Sequence, residues 1–241
     1  RGPDGDGFAS YAGGTVGFGH TRLSIIDLAG SPQPMTSASA PFHLTFNGEI
    51  FDYREHRGEL QRSGVPLRTH GDTEVLLETL RRHGLAGLDR LNGQFAFGCF
   101  DERDGTLLLA RDRLGILPLY VARRDGFVVF ASEIKALLPA LEAPRLDDDA
   151  VESYLTYRSV PPPRTLFRGI EKLAPGTALR IGADGSFRHE TWWRLPAVAG
   201  VTLSGDAAVA AVAAALERAV AHRLVADVPV GAYLSGGLDS S

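Results

Sequence analysis

Gly93-Gln94-Phe95-Ala96-Phe97-Gly98-Cys99-Phe100 is the stretch on which the fold turns. Phe95, Phe97 and Cys99 alternate with Ala96, Gly98 and Phe100, so both faces of the predicted strand are apolar. A strand with one wet face alternates apolar and polar residues, whereas one that is apolar on both sides lies between two packed layers. In that setting Cys99, the only cysteine of the chain, is a small buried hydrophobe rather than a nucleophile. Further short apolar runs at 15–20, 42–46, 106–110 and 127–131, bounded by Gly, Asp or Pro, read as companion strands.

Helices separate these runs. Asp52 is placed to cap a helix over 53–62 that stops at Ser63-Gly64, and Asp72 to cap a second over 73–83 that ends at Gly84. A third starts at Asp147 and runs through Tyr154, before Pro161-Pro162-Pro163 imposes an extended segment. Strands with a turn at Asp184-Gly185 follow and close near Trp192-Trp193.

Beyond residue 195 the texture changes. Residues 196–205 carry Pro, Gly and small side chains and read as a linker between a first domain, 1–195, and the beginning of a second, 206–241. From Asp206, the side chains of Val209, Val212, Leu216, Val220 and Leu224 fall on one helical stripe. An apolar strand is expected at 228–234, followed by Ser235-Gly236-Gly237-Leu238-Asp239-Ser240-Ser241. Helix, strand and glycine loop in that order open an α/β nucleotide-binding sheet. Gly236 and Gly237 permit positive φ, so that successive amides can face one anion. Ser235, Ser240 and Ser241 add hydroxyl donors, and Asp239 can hold a magnesium ion against a bound phosphate. The loop has neither the lysine nor the spacing of a Walker A motif. A plain serine-glycine turn is the bland alternative, which the full heptad after an apolar run disfavours.

Composition narrows the class. With 44% hydrophobic and 22% charged residues, the 241-residue chain is neither disordered nor fibrous. Its net charge of -4 offers no general attraction to nucleic acid or to an anionic membrane. The longest strongly apolar run, 207–216, is half the roughly twenty residues that a membrane span requires. One cysteine excludes a disulfide framework, and the seven histidines show no zinc spacing. A reduced, cytoplasmic location is the expectation. The start at Arg1 rather than Met, and the end on a loop that normally leads into a helix, read as truncation at both ends.

The terminal heptad resembles the pyrophosphate loop of ATP pyrophosphatases. Nearly the whole chain is similar to the glutamine-hydrolysing asparagine synthetases. The motifs are Arg1-Gly2-Pro3-Asp4, His20-Thr21-Arg22-Leu23-Ser24-Ile25-Ile26-Asp27, Gln33-Pro34-Met35, Asn47-Gly48-Glu49-Ile50, Asp72-Thr73-Glu74-Val75, Gly93-Gln94-Phe95-Ala96-Phe97, Ala110-Arg111-Asp112-Arg113-Leu114-Gly115, Pro118-Leu119-Tyr120 and Ala131-Ser132-Glu133-Ile134-Lys135-Ala136-Leu137. One such motif is weak, but the ordered set is specific.

The resemblance implies an α+β fold: an N-terminal-nucleophile αββα sandwich, then the start of an open α/β nucleotide-binding domain. It implies that Arg22 pairs bidentately with the α-carboxylate of glutamine, and that Asp72 and Glu49 receive its α-ammonium. The Asn47 side-chain amide and the Gly48 N–H would form the oxyanion hole, with backbone groups of Leu23, Ser24, Ile25 and Ile26 lining the pocket. Leu234 would touch the adenine nucleotide through its backbone. Pyrophosphate would rest on Ser235, Gly236, Gly237, Leu238, Asp239, Ser240 and Ser241, with Asp239 at magnesium.

The implied reaction is glutamine-dependent asparagine synthesis: glutamine is hydrolysed to ammonia, ATP adenylates aspartate, and amide formation releases AMP and pyrophosphate. The implied partners are glutamine, aspartate or a related carboxylate acceptor, ATP and Mg2+; a homodimer is compatible with this. The nucleophile of such enzymes is a cysteine exposed by removal of the initiator Met, expected ahead of Arg1, and this fragment is expected to be inactive alone. One rival is a related enzyme of specialised metabolism that closes a β-lactam or another amide; a second is a non-catalytic remnant that serves as a binding module. Taken singly, Asn47-Gly48 is a common hairpin turn, Asp72 a helix cap and Arg22 a surface cation. Two positions depart from the family pattern: Gly71 stands where serine is usual, and Leu117 where many members carry lysine.

Overall fold

The strand expected at 95–100 runs further in the computed structural model, which describes residues 2–141, 143–197, 200 and 203–238. In chain order the elements are β1 (Gly5–Tyr11), β2 (Val16–Arg22), β3 (Met35–Thr36), β4 (Phe42–Ile50), α1 (Tyr53–Arg62), α2 (Asp72–His83), β5 (Gly93–Asp101), β6 (Thr106–Arg111), β7 (Tyr120–Arg124), β8 (Phe127–Ala131), α3 (Asp148–Tyr157), β9 (Ile170–Lys172), β10 (Thr177–Ile181), β11 (Phe187–Thr191) and α4 (Gly205–Arg223). A six-stranded antiparallel sheet, in the order β11-β10-β6-β5-β4-β3, holds β5 near its centre. β8-β7-β9 make a second sheet and β1-β2 a separate hairpin.

Alternation along β5 sorts its side chains between two cores. Phe95, Phe97 and Cys99 join Leu44 and Phe46 of β4 and Val75, Leu76, Leu77 and Leu80 of α2 in the larger core. Ala96 faces the other way, with Leu109, Leu119, Val121, Leu179 and Phe130, between the large sheet and β7-β8. A third cluster behind β7 and β9 is closed by short 3-10 turns at Ile134–Ala136 and Leu138–Ala140. Helices, sheet, sheet and an outer layer of short turns therefore stack as the apolar pattern of 95–100 requires. Burial in these cores contributes about 25 cal/mol per Å² of apolar area.

Several local expectations are corrected. β1 occupies Gly5–Tyr11, which is not among the predicted strands; its partner β2 supplies the ladder that its own glycines do not encode. Helix α1 has the expected span, yet Asp52 makes no cap. Its carboxylate instead accepts the N–H of Asn92 at 3.0 Å. Helix α2 begins at Asp72 itself, with Gly71 at the cap position. Asp147 does cap α3, accepting from the Ala150 N–H at 3.3 Å, and the helix extends to Tyr157.

In the second unit α4 forms as expected, one residue early. The run at 228–234 forms no strand, because no described segment lies beside it to complete a ladder. The stripe Val209, Val212, Leu216, Val220 and Leu224 is exposed. Of the terminal heptad, Asp239, Ser240 and Ser241 lie outside the described residues, as do 198, 199, 201 and 202 of the linker. No helix among the described residues is long and apolar enough to cross a membrane.

Burial pushes the Cys99 thiol up to about 12. Alkylation by iodoacetamide at pH 8 is therefore expected only at the rate of global unfolding; rapid labelling of the folded chain would contradict the layered placement of β5.

Candidate active site

The site grows from a mismatch between neighbouring strands. β4 spans Phe42–Ile50, but β3 pairs with it only at Leu44 and His43. From Thr45 onward, the backbone groups on that side of β4 need other partners or stay open. Gln33 supplies the first: its Oε1 accepts the Phe46 N–H at 2.6 Å and its Nε2 donates to the Phe46 carbonyl at 2.9 Å. Asp72 supplies the last, its carboxylate accepting the Ile50 N–H at 3.0 Å.

Between them lies Gly48. Phe51 N–H donates to the Asn92 carbonyl at 2.8 Å. Antiparallel pairs alternate between bonded and non-bonded, so in this register Glu49 bonds to Gln94 and Asn47 to Ala96, while Gly48 and Phe95 form a non-bonded pair. Phe95 agrees with this assignment, since its N–H and carbonyl both go to Asp112 on the opposite side. The Gly48 N–H thus points outward from the open edge of β4, flanked by two satisfied positions. Its glycine is required. A Cβ there would stand 2.2 Å from the Gln94 carbonyl oxygen, and φ is +155°.

Asn47 precedes it on the strand, with its side chain exposed on the face away from the helices. This corrects the hairpin reading of Asn47-Gly48: the pair lies within a strand and makes no turn.

The loop after β2 folds back toward this edge around Arg22. The guanidinium donates to the carbonyls of Leu28 at 2.9 Å, Ile26 at 3.1 Å and Asp27 at 2.7 Å. Arg22 is therefore no loose surface cation. Three of its five N–H donors hold the loop, and Nη2, common to both two-nitrogen forks, is engaged twice. Bidentate pairing with a carboxylate would require one of those carbonyls to let go. Asp4 accepts the Ser24 N–H at 2.8 Å and fixes the other end of the loop.

Asp27 joins the loop to the start of α2. Its carboxylate accepts the His70 N–H at 2.9 Å and the Ser31 hydroxyl at 2.8 Å. Burial opposes ionisation there, but these donors prevail and hold the carboxyl below its usual range. The Ser31 hydroxyl also accounts for Gly71, because a Cβ at 71 would lie 2.2 Å from it. The Asp27–His70 and Asp72–Ile50 bonds tie the loop of Arg22 and 23–26 to the end of β4 that carries Asn47, Gly48 and Glu49, forming one neighbourhood. Asp27 and Gln33 belong to it as well; both stood within family-like motifs, but nothing in their residue types announced these bonds.

Electrostatically, the site is prepared for a cation. Burial pushes the Asp72 carboxyl up to about 7, against the N–H groups of Ile50 and its own helix, and the nearby Glu49 adds to the rise. Burial also raises Glu49, opposed by the Gln94 side chain. Burial, then the Arg22 charge, lowers His20. Two carboxyls reluctant to ionise together are stabilised by an ammonium that ionises both. In the second unit, the described part of the heptad carries backbone amides and the Ser235 hydroxyl, which accepts the Gly237 N–H at 3.4 Å. A Cβ at Gly236 would meet nothing within 4 Å. Amide and hydroxyl donors of this kind suit phosphate oxygens. Among the described residues, no cluster of acids, histidines or cysteine is arranged to hold a metal ion.

Comparison with known proteins assigns the family. Residues 1–193 match the family described as glutamine amidotransferase domain, and 211–241 match asparagine synthase. The whole chain is 39% identical to asparagine synthetase [glutamine-hydrolyzing] 1 of Bacillus subtilis (strain 168) and spans 38% of that protein's length. It is 34% identical over its whole length to the amidase chyE of Penicillium rubens, covering 36% of it. Among solved structures, the glutamine phosphoribosylpyrophosphate amidotransferase of B. subtilis matches 73% of this chain and 34% of its own, with a TM-score of 0.52 at 22% identity. That likeness shows the layered sandwich fold.

The folded pKa of Asp72, about 7, lies above its ordinary 3.8. Wild-type stability should therefore fall as pH rises between those values, with the full penalty present above pH 7. Asp72→Asn, whose amide oxygen can still accept the Ile50 N–H, should flatten that slope and be the more stable at pH 8, by roughly 4 kcal/mol at most. Melting curves from pH 5 to 8 check this; parallel curves for the two proteins would remove the buried-acid assignment.

Proposed function

We propose that this chain, which belongs to the glutamine amidotransferase domain family, hydrolyses glutamine to ammonia as part of a longer, ATP-dependent asparagine synthetase. The observation that carries the reading is the outward-facing Gly48 N–H on the open edge of β4. It is a preorganised donor with the exposed Asn47 amide beside it and two poorly ionised carboxyls close by.

A cysteine thiolate attacks the side-chain amide carbon of glutamine, and the carbonyl electrons move to oxygen. Gly48 N–H and the Asn47 side chain donate to that oxyanion as its charge develops. Collapse expels the amide nitrogen, which leaves as ammonia by taking the proton that the cysteine's own α-amine had drawn from the thiol, and water then releases glutamate from the thioester. Asp72 and Glu49 hold the α-ammonium of glutamine, and both ionise in its presence. The backbone of 23–26 closes the pocket. Arg22 meets the α-carboxylate with the N–H groups not given to the loop. Cys99 takes no part, being enclosed and poorly ionised.

In the second unit, a carboxylate oxygen of aspartate attacks the α-phosphorus of ATP and pyrophosphate leaves; ammonia then displaces AMP. Leu234 and the heptad would hold the nucleotide and pyrophosphate. Asp239 would hold Mg2+, which supplies positive charge to the phosphate oxygens when bound.

In the full-length protein, Asn47→Ala should lower glutaminase turnover by roughly a hundred- to a thousand-fold. Synthesis from added ammonium should survive. Equal loss of both activities would make Asn47 structural. Asp239→Ala should abolish ATP-pyrophosphate exchange and product formation with either nitrogen donor, while glutamine hydrolysis continues. Near-normal exchange in that variant would remove the nucleotide assignment.

A further inference from the structure

The loop that forms the glutamine side of the site is held from two directions, and one of them is the second unit. After α4 the chain turns, and Asp227 makes a double contact with the loop. Its N–H donates to the Ile25 carbonyl at 2.8 Å, and its carboxylate accepts the Asp27 N–H at 2.7 Å. Asp27 has φ +51°, a conformation unfavourable for a side chain with a Cβ. The two bonds therefore fasten the loop at and beside its one described left-handed residue.

The contact is not isolated. Val225 packs against the larger core, and Ile25 borders that core from the loop side. His222 Nδ1 lies 3.2 Å from Nδ2 of Asn92, and the Arg223 guanidinium stands 5.4 Å from the centre of the Phe51 ring. Arg54 of α1 lies 3.8 Å from the second carboxylate oxygen of Asp227. Residues 222–227 thus touch the loop, the start of α1 and the segment before β5, all at the end of the sandwich that carries the site.

We infer that Asp227 is a positioning residue for the glutamine pocket, supplied by the synthetase-side segment. It holds the Ile25–Asp27 peptides in the conformation that binds glutamine, so displacement of the segment leading to the phosphate loop loosens the pocket. The inference rests on the glutaminase reading of loop 22–28. The Ile25 carbonyl and Asp27 N–H held by Asp227 alternate along the loop with the carbonyls gathered by Arg22. Releasing Asp227 leaves the Arg22 bonds in place but frees the opposite side of the loop.

Two measurements test this. In the full-length protein, Asp227→Ala should raise the KM for glutamine about tenfold while kcat changes less than about twofold, the pattern of lost ground-state binding. Asp227→Asn, whose amide oxygen can still accept the Asp27 N–H, should restore most of the affinity. In parallel, hydrogen exchange of the Asp27 amide should be at least about tenfold faster in Asp227→Ala than in wild type, and near wild type in Asp227→Asn. Unchanged exchange would show that the clamp does not hold the loop. Faster exchange with unchanged KM would show that the clamp does not serve glutamine. Either result overturns the inference. Absence of glutaminase activity in the wild-type full-length protein would instead refute the functional reading, with the exchange arm still reporting on the clamp.

Discussion

A strand longer than its neighbour has to settle its backbone some other way, and much of this site follows from that constraint. β4 outruns β3, so the groups of Phe46 and Ile50 turn to side chains from two remote segments, Gln33 and Asp72. Those bonds recruit the loop before β3 and the first turn of α2 to one edge. A buried N–H without a partner is costly, and an N–H at an open edge can instead be offered to a ligand. Gly48 is that position, and the tight approach of Gln94 allows no other residue there.

Charge is arranged around the edge in a matching way. The acids that face it, Asp72 and Glu49, are desolvated and hard to ionise, whereas Asp27, one step removed, is kept ionised by the donors it organises. The same residue type thus plays two parts. Asp27 builds the loop with its charge satisfied. Asp72 keeps its charge poorly satisfied, although its hydrogen bond to Ile50 already anchors β4. This division follows from how deeply each carboxylate is buried against the donors it receives.

Much of the architecture could be read directly from the residues, because side-chain periodicity reports layers. The two-faced apolarity of 95–100 placed β5 between cores, and the starts and stops around 53–62 and 73–83 were close to the observed helices. What could not be read was who would compete for a side chain. Asp52 and Asp72 have the residue type of helix caps, yet distant backbone N–H groups of Asn92 and Ile50 took their carboxylates. Asn47-Gly48 has the composition of a hairpin turn, but the β5 register overrode local propensity. The run at 228–234 has strand composition and no strand, since a ladder requires a neighbour. The candidate site residues were legible through ordered motifs rather than singly, and Asp27, Gln33 and Asp227 became visible only through their bonds.

Among the described residues, Arg22 is one of three arginines that each gather three backbone carbonyls. Arg111 donates to the carbonyls of Leu117, Leu173 and Gly115, and Arg113 to those of Leu91, Leu88 and Asp89. Each guanidinium acts here through the number and direction of its donors, and its partners are dipoles at contact distance rather than distant charges. Dissolved ions screen interactions over about 8–10 Å at ordinary ionic strength and do little to contacts of this kind. The exposed pairs, such as Arg164 with Asp149 and Arg168 with Asp148, belong to the other regime. Concentrated salt would therefore strip the protein of its surface pairing while leaving its loops gathered as before, and lysine at any of the three positions would keep the charge but lose the joint.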